Sequence, residues 1–230
     1  KVATREEVWR RRNWLRLART REFAYVDRVV VSTDSEEYAA TARRHGAEVP
    51  FLRPPELASD TAPSIGFILH ALDAVAGDGR DYEYLVLLEP TSPLTESADV
   101  DAALHALHAD REHADAVVSV AELVSTHPAF AVRMAQGALL SPYASARFGD
   151  LPRRQDVEPL YSLDGSLYIS SVAALRRERS FCHARTRGHV MPRHKSLEVD
   201  DLVDFVCIEA ILANRGLLEA AATHDATRSA

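Results

Sequence analysis

Two carboxylates two positions apart, Glu198 and Asp200 in the run Lys-Ser-Leu-Glu-Val-Asp at 195–200, are the groups best suited by type and spacing to grip a hard cation. In extended backbone, residues two apart point the same way, and a short row of oxygen ligands suits magnesium, which keeps several waters and takes few protein groups. The competing reading is acidic capping of the helix that follows, and for Asp201 and Asp204 capping is preferred. A second constellation is the run 51–64, Phe-Leu-Arg-Pro-Pro-Glu-Leu-Ala-Ser-Asp-Thr-Ala-Pro-Ser. Its prolines stiffen the backbone, while Arg53, Ser59, Asp60, Thr61 and Ser64 supply polar groups at short intervals. It reads either as a rigid ligand-binding rim or as a plain Pro-rich connector. Two more polar segments, Thr33-Asp34-Ser35 and the run from Glu89 through Thr91 and Ser92 to Leu94, each follow an apolar run. Asp34 and Ser35 serve equally well as helix N-cap or ligand contact. His105, His108 and His113 sit among acidic residues, the pattern of a solvated helix face rather than a metal cluster, while His127 and His194 are better placed for chemistry. No Ser/His/Asp or Cys/His signature flags nucleophilic catalysis.

The elements that must position these groups are legible from hydrophobic period. Short apolar runs at 28–32, 47–51, 84–88 and 116–120 read as buried strands, and 36–45, 64–76 and 98–113 carry helical spacing between them. That alternation predicts an α/β fold with a doubly wound, mostly parallel sheet. The rim at 51–64 and the two polar segments then all fall at the carboxyl edge of the strands, where open α/β sheets bind ligands. Residues 141–158 lack periodicity; 166–170 reads as a further strand, 200–214 as the last long helix, and 220–230 as a frayed tail.

Composition narrows the partners. The chain has 230 residues, 47% of them hydrophobic, enough for one compact α/β domain spanning 1–230. A net charge of −7 disfavours a nucleic acid polymer, which calls for a basic footprint. Cys182 and Cys207 form neither a disulfide framework nor a zinc pattern, which suits a reducing compartment. No apolar stretch is long enough to span a membrane and no signal-like segment opens the chain, so a cytoplasmic protein is expected.

Taken together, these motifs resemble the acylneuraminate cytidylyltransferase family, the CMP-sialic acid synthetases and their nonulosonate relatives. The resemblance runs from about Val26 to Leu212 through Asp27-Arg-Val-Val-Val-Ser-Thr-Asp34, the run 52–64, Leu87-Leu-Glu-Pro-Thr-Ser-Pro-Leu94, Ala116-Val-Val-Ser119, His127-Pro128, Arg154-Gln155, Asp164-Gly-Ser-Leu-Tyr-Ile169 and Ser196-Leu-Glu-Val-Asp200. It implies a nucleotide-diphospho-sugar transferase-like, Rossmann-like fold and transfer of CMP from CTP to the anomeric hydroxyl of a sugar acid, with release of pyrophosphate. By the same carry-over, Arg53 and Ser64 are nucleotide contacts, and Arg12 and Asn13 stand in for the family's basic pair. Glu198 and Asp200 become catalytic ligands of magnesium, and Glu89, Thr91, Ser92, Arg154, Gln155, Tyr161 and Asp164 fall in the sugar pocket. The stretch 141–159 resembles an arm through which two subunits form a homodimer. The family's glycine-containing triphosphate loop is not recognisable within 1–13, and the resemblance places it upstream of Lys1 or within that stretch. Glu89 stands where the family commonly has Gln, and Thr95 where an Arg often follows. The alternatives are a non-catalytic nucleotide- or sugar-binding homologue that has lost the phosphate loop, and a dimeric α/β scaffold with no ligand.

Overall fold

The computed structural model describes residues 23–59, 61–77 and 79–218. The first helix, α1 (Glu36–Arg44), starts where Ser35 accepts a hydrogen bond from the Tyr38 amide at 3.3 Å, so Ser35 is a true N-cap. Acidic residues in its first turn and arginines in its last complement the helix dipole. Next comes α2 (Ser64–Ala76), opened by Pro63, whose fixed φ and missing N–H suit a helix start. The strand β1 (Tyr84–Leu87) leads to α3 (Ser97–Ala109), which begins with a capping box between Glu96 and Asp99. It ends earlier than its sequence pattern suggests, because 110–113 is wholly polar and Asp110 turns outward to Arg187 at 2.5 Å and His113 at 2.9 Å. Then follow β2 (Ala116–Glu122), the hairpin strands β3 (Val132–Met134) and β4 (Leu140–Pro142), and the long β5 (Tyr161–Ser171). The helix α4 (Val172–Glu178), the strand β6 (Thr186–Val190) and α5 (Leu202–Ala213) complete the order.

The principal sheet has the order β1-β5-β2-β6. Strands β1, β2 and β6 run in one direction, and β5 runs against its two neighbours. The expected α/β architecture is therefore present as a mixed sheet, in which three strands share one direction and β5, between β1 and β2, pairs antiparallel with both. Alternation along the strands shows why helices cover both faces. Val117 and Ile169 pack with Leu104 and Leu107 of α3, whereas the adjacent Val118 and Tyr168 pack with Ile68 and Leu72 of α2.

The apolar segments 28–32 and 47–51 meet as a single parallel bridge, Val30 to Glu48, rather than as full strands. Pro50 explains the interruption, since it has no N–H to donate. Contact resumes where the Arg53 amide reaches the Thr33 carbonyl at 2.8 Å. Three elements not read from the sequence are the β3–β4 hairpin, α4 and β6. In β6, Thr-Arg-Gly-His-Val has no clean alternation, and it becomes a strand through parallel pairing with β2.

β5 is not regular. Between the pairs Val118 with Tyr168 and Val120 with Leu163 the register shifts, so β5 bulges at 164–167, and Gly165 takes φ +71° there. No helix of the described residues is long and apolar enough to cross a membrane.

Candidate active site

The carboxyl end of β1 runs directly into Glu89 and a tight turn in which the Ser92 amide donates to the Glu89 carbonyl at 3.2 Å. Ser92 is fully buried and Thr91 partly so. The loop after β6 is laid against this turn by a hydrogen bond from the Val199 amide to the Thr91 carbonyl at 2.8 Å. That contact delivers Glu198: its Oε1 accepts from Thr91 Oγ1 at 3.4 Å and from Ser92 Oγ at 3.3 Å. Its carboxylate also lies against Gly165 in the β5 bulge. The same loop is pinned from behind by Lys195, whose Nζ donates to Glu96 at 2.7 Å and to Asp99 at 2.9 Å. Burial works against those charges, but the bonds outweigh it, holding Lys195 above its ordinary pKa and Glu96 below its own. Arg215 adds a further contact to Glu96.

Arg53 forms the opposite side. Its guanidinium donates to Ser32 Oγ at 3.1 Å and to the Ser32 carbonyl at 2.5 Å, and it lies 4.1 Å from the centroid of the Phe67 ring. Burial lowers its pKa, and the charges of Asp34 and Glu89 oppose that shift. Arg53, Ser64 and Glu89 line one cleft of about 1710 Å³, whose lining also takes in Val29, Val31, Leu85 and Leu87. Glu89 is half-buried, and its carboxyl is raised above the ordinary range first by burial and then by the negative charge of Glu198, with Arg53 pulling the other way.

Asp164 is buried beside this edge. Its Oδ1 accepts from Ser119 Oγ and from the Ser166 amide at 3.1 Å, while Oδ2 has no hydrogen-bond partner among the described residues. Ser119 Oγ in turn accepts from the Leu167 amide at 2.8 Å. Asp200 is exposed, and its amide donates to Asp204 Oδ2 at 3.1 Å. Asp201 caps α5 with Asp204 as its box partner, the capping role expected for both.

The structure thus brings Arg53, Ser64 and Glu89 to one cleft, and Thr91, Ser92 and Glu198 to one hydrogen-bonded group beside it. Arg154, Gln155 and Tyr161 lie exposed on the arm and the start of β5, and among the described residues no hydrogen bond joins them to that group. Arg12 and Asn13 lie outside the described residues. His127 bonds the Glu158 carbonyl at 3.0 Å and the Ala129 amide at 3.1 Å, a structural tie at the base of the arm. Phe67, Lys195 and Gly165 are site residues that the sequence reading missed. Only Gly165 left a signal, since a glycine inside a strand pattern marks a bulge or a close approach.

Among the described residues no group of three or more His, Cys, Asp or Glu side chains could hold a metal ion. Glu198, near enough to Glu89 for its charge to be felt there, and the exposed Asp200 offer oxygen donors only, the donor type a hard cation takes, and no contact joins Asp200 to Glu198 among the described residues.

The sequence profile of a family described as cytidylyltransferase matches residues 16–159. The chain is 35% identical over 184 residues to N-acylneuraminate cytidylyltransferase of Escherichia coli O18:K1:H7, an alignment covering 78% of this chain and 40% of that protein. It is 29% identical over 188 residues to CMP-N,N'-diacetyllegionaminic acid synthase of Legionella pneumophila, covering 81% of this chain and 78% of the relative. The chain spans about two fifths of the length of the N-acylneuraminate relatives it matches. Among solved structures, a CMP:2-keto-3-deoxy-manno-octonic acid synthetase complexed with CTP superposes with a TM-score of 0.58 at 13% identity, covering 91% of this chain and 89% of that one. A 4-diphosphocytidyl-2C-methyl-D-erythritol synthase from Anaerococcus prevotii gives 0.56 at 9%, covering 92% of each. At such identities these two superpositions bear on the fold alone.

Proposed function

The chain belongs to the cytidylyltransferase family, and from that premise we propose that it joins CMP from CTP to the anomeric hydroxyl of a nonulosonic, sialic-acid-like sugar acid. The hydroxyl oxygen forms a bond to the α-phosphorus, the bond to the β-phosphate oxygen breaks, pyrophosphate leaves, and the hydroxyl proton passes to solvent or a base. The observation that carries this reading is the meeting, at one sheet edge, of a cationic ledge at Arg53 and a carboxylate group at Glu89 and Glu198. A phosphoryl transfer of this kind asks the protein for positioning and charge compensation rather than a covalent intermediate.

In this reading Arg53 and Ser64 hold the nucleotide, with the guanidinium kept in place by Ser32 and Phe67. Glu198 and Asp200 would hold magnesium, which when bound supplies charge neutralisation at the phosphates and lowers the pKa of the attacking hydroxyl. Thr91 and Ser92 orient Glu198 through their hydroxyls. Asp164 would belong to the sugar pocket by the family resemblance; its side chain is buried, with one carboxylate oxygen unpartnered among the described residues. Arg154, Gln155 and Tyr161 would complete the sugar pocket. Glu89 does not suit the substrate carboxylate unless it is protonated or paired, so Glu89 bears on which acid is accepted. The stretch 141–159 would be the arm of a homodimer, and the exposed apolar residues of the β3–β4 hairpin that leads into it, Met134 and Leu140 among them, would extend that contact. We place the protein in the cytoplasm, in keeping with its two free cysteines.

Incubation with CTP, magnesium and a panel of nonulosonic acids is expected to release pyrophosphate with at least one acid. No release with any of them removes the reading for those substrates. CTP binding in calorimetry without turnover, unchanged by Glu198→Ala, would favour a non-catalytic nucleotide-binding homologue.

A further inference from the structure

We propose that Gly165 is a positioning residue for Glu198: the missing side chain at the β5 bulge is the berth in which the Glu198 carboxylate sits. The proposal rests on the reading of Glu198 as a group that works in nucleotidyl transfer.

A Cβ built at Gly165 would fall on all three atoms of the Glu198 carboxylate, closer than real Cβ atoms ever approach. The two residues are far apart in sequence, so this is a tertiary contact made by the loop after β6 folding over the bulge of β5. Both backbones are anchored, so what can yield is the flexible end of the Glu198 side chain. On the β5 side, Gly165 is flanked by Asp164 and Ser166, both buried, and Asp164 Oδ1 is bonded to Ser119 Oγ and to the Ser166 amide. The Leu167 amide is held by Ser119 at 2.8 Å. On the loop side, Val199 is bonded to the Thr91 carbonyl, and Lys195 ties the loop to Glu96 and Asp99. With both backbones anchored, a methyl group at 165 is accommodated only by swinging the Glu198 carboxylate away from the hydroxyls of Thr91 and Ser92. The bulge thus does two things. It turns Asp164 into the buried network, and it leaves a gap of carboxylate size at the edge where β1 delivers Glu89.

Strain at positive φ must be separated from the steric effect, and Gly46 provides the control. It has φ +84°, and a Cβ there would meet nothing within 4 Å. Thermal unfolding is measured for the wild type, Gly46→Ala, Gly165→Ala, Glu198→Ala and the double variant Gly165→Ala/Glu198→Ala. Gly165→Ala is expected to lower the melting temperature more than Gly46→Ala does, and that excess is expected to vanish once the Glu198 carboxylate is removed. If Gly165→Ala does not fold, recovery of folding in the double variant supports the berth, and failure of the double variant while Gly46→Ala folds overturns it. In the pyrophosphate assay, Gly165→Ala is expected to lose on the order of 10²-fold in kcat, because small misplacements of a positioned group cost that much. Gly46→Ala is expected to keep wild-type turnover. An excess destabilisation that persists without the Glu198 carboxylate, or a Gly165→Ala variant matching Gly46→Ala in both measurements, overturns the proposal. An inactive wild type removes the transferase reading instead, and the unfolding cycle still decides the berth.

Discussion

Arg53 is the residue at which local chemistry and the proposed function meet most directly. Its guanidinium is held by two bonds to Ser32 and by the face of Phe67, so its orientation is set before any ligand arrives. Arg53→Ala is expected to weaken CTP binding by about 1.5–3 kcal/mol, the range of a hydrogen bond to a charged group, as read by calorimetry. Arg53→Lys is expected to recover little, because an ammonium has neither the fork nor the flat face. Unchanged affinity in the alanine variant would exclude Arg53 from the nucleotide site. Glu89 makes a different prediction, through pH. Its carboxyl is raised above its ordinary value of 4.5 by burial and by Glu198. A raised acid favours the fold while protonated, and that contribution is lost as pH rises through the folded-state value. Glu89→Gln is therefore expected to unfold at a higher temperature than the wild type at pH 7, with the difference shrinking as pH falls through the raised folded-state value and nearly gone below 4.5. Melting curves across that range, taken with a chelator present, check the sign. A gain that is the same at every pH would mean that Glu89 ionisation is not its source.

The loop between β6 and α5 owes its placement to Lys195. Side-chain exposure is 14% for Lys195, 23% for Glu96 and 12% for Asp99, low enough for the ion pairs to escape much solvent screening. Lys195→Ala would leave the carboxylates of the capping box with less compensation. The expected cost is about 1–3 kcal/mol by chemical denaturation, between the values for surface and fully buried pairs, with Arg215 still in contact with Glu96. Turnover is expected to fall as well, since the loop carries Glu198; a variant of unchanged stability and turnover would show that the Val199 to Thr91 bond suffices. Legibility also differed by element. The start of α1 at Ser35 and of α2 after Pro63 could be read because cap chemistry is local. Strand β6 could not, because its residues carry no period and it becomes a strand only by lying beside β2.

For the molecule as a whole, the feature that the main sheet does not use is the β3–β4 hairpin leading into the arm at 141–159. Met134 and Leu139 are each 72% exposed on a hairpin that stands apart from the main sheet. If two copies meet there, as proposed, Met134→Glu with Leu140→Glu is expected to shift the mass seen by light scattering from dimer to monomer. A wild type that is already monomeric would exclude both the hairpin and the arm that follows it as dimer contacts. The sequence by itself determined which segments are apolar on which period, and so an α/β sheet with helices over both faces. It also determined the polar segments that end strands at one edge, including Arg53 and Glu89, because each of those signals is local. Tertiary structure alone decided that β5 enters antiparallel between β1 and β2, since strand partners are chosen across long stretches of chain. That insertion creates the bulge at Gly165 and brings Glu198 to hydroxyls more than a hundred positions earlier in the chain. Composition and period say that a residue is polar and near an edge. The register of the sheet and the anchoring of a distant loop decide what it touches.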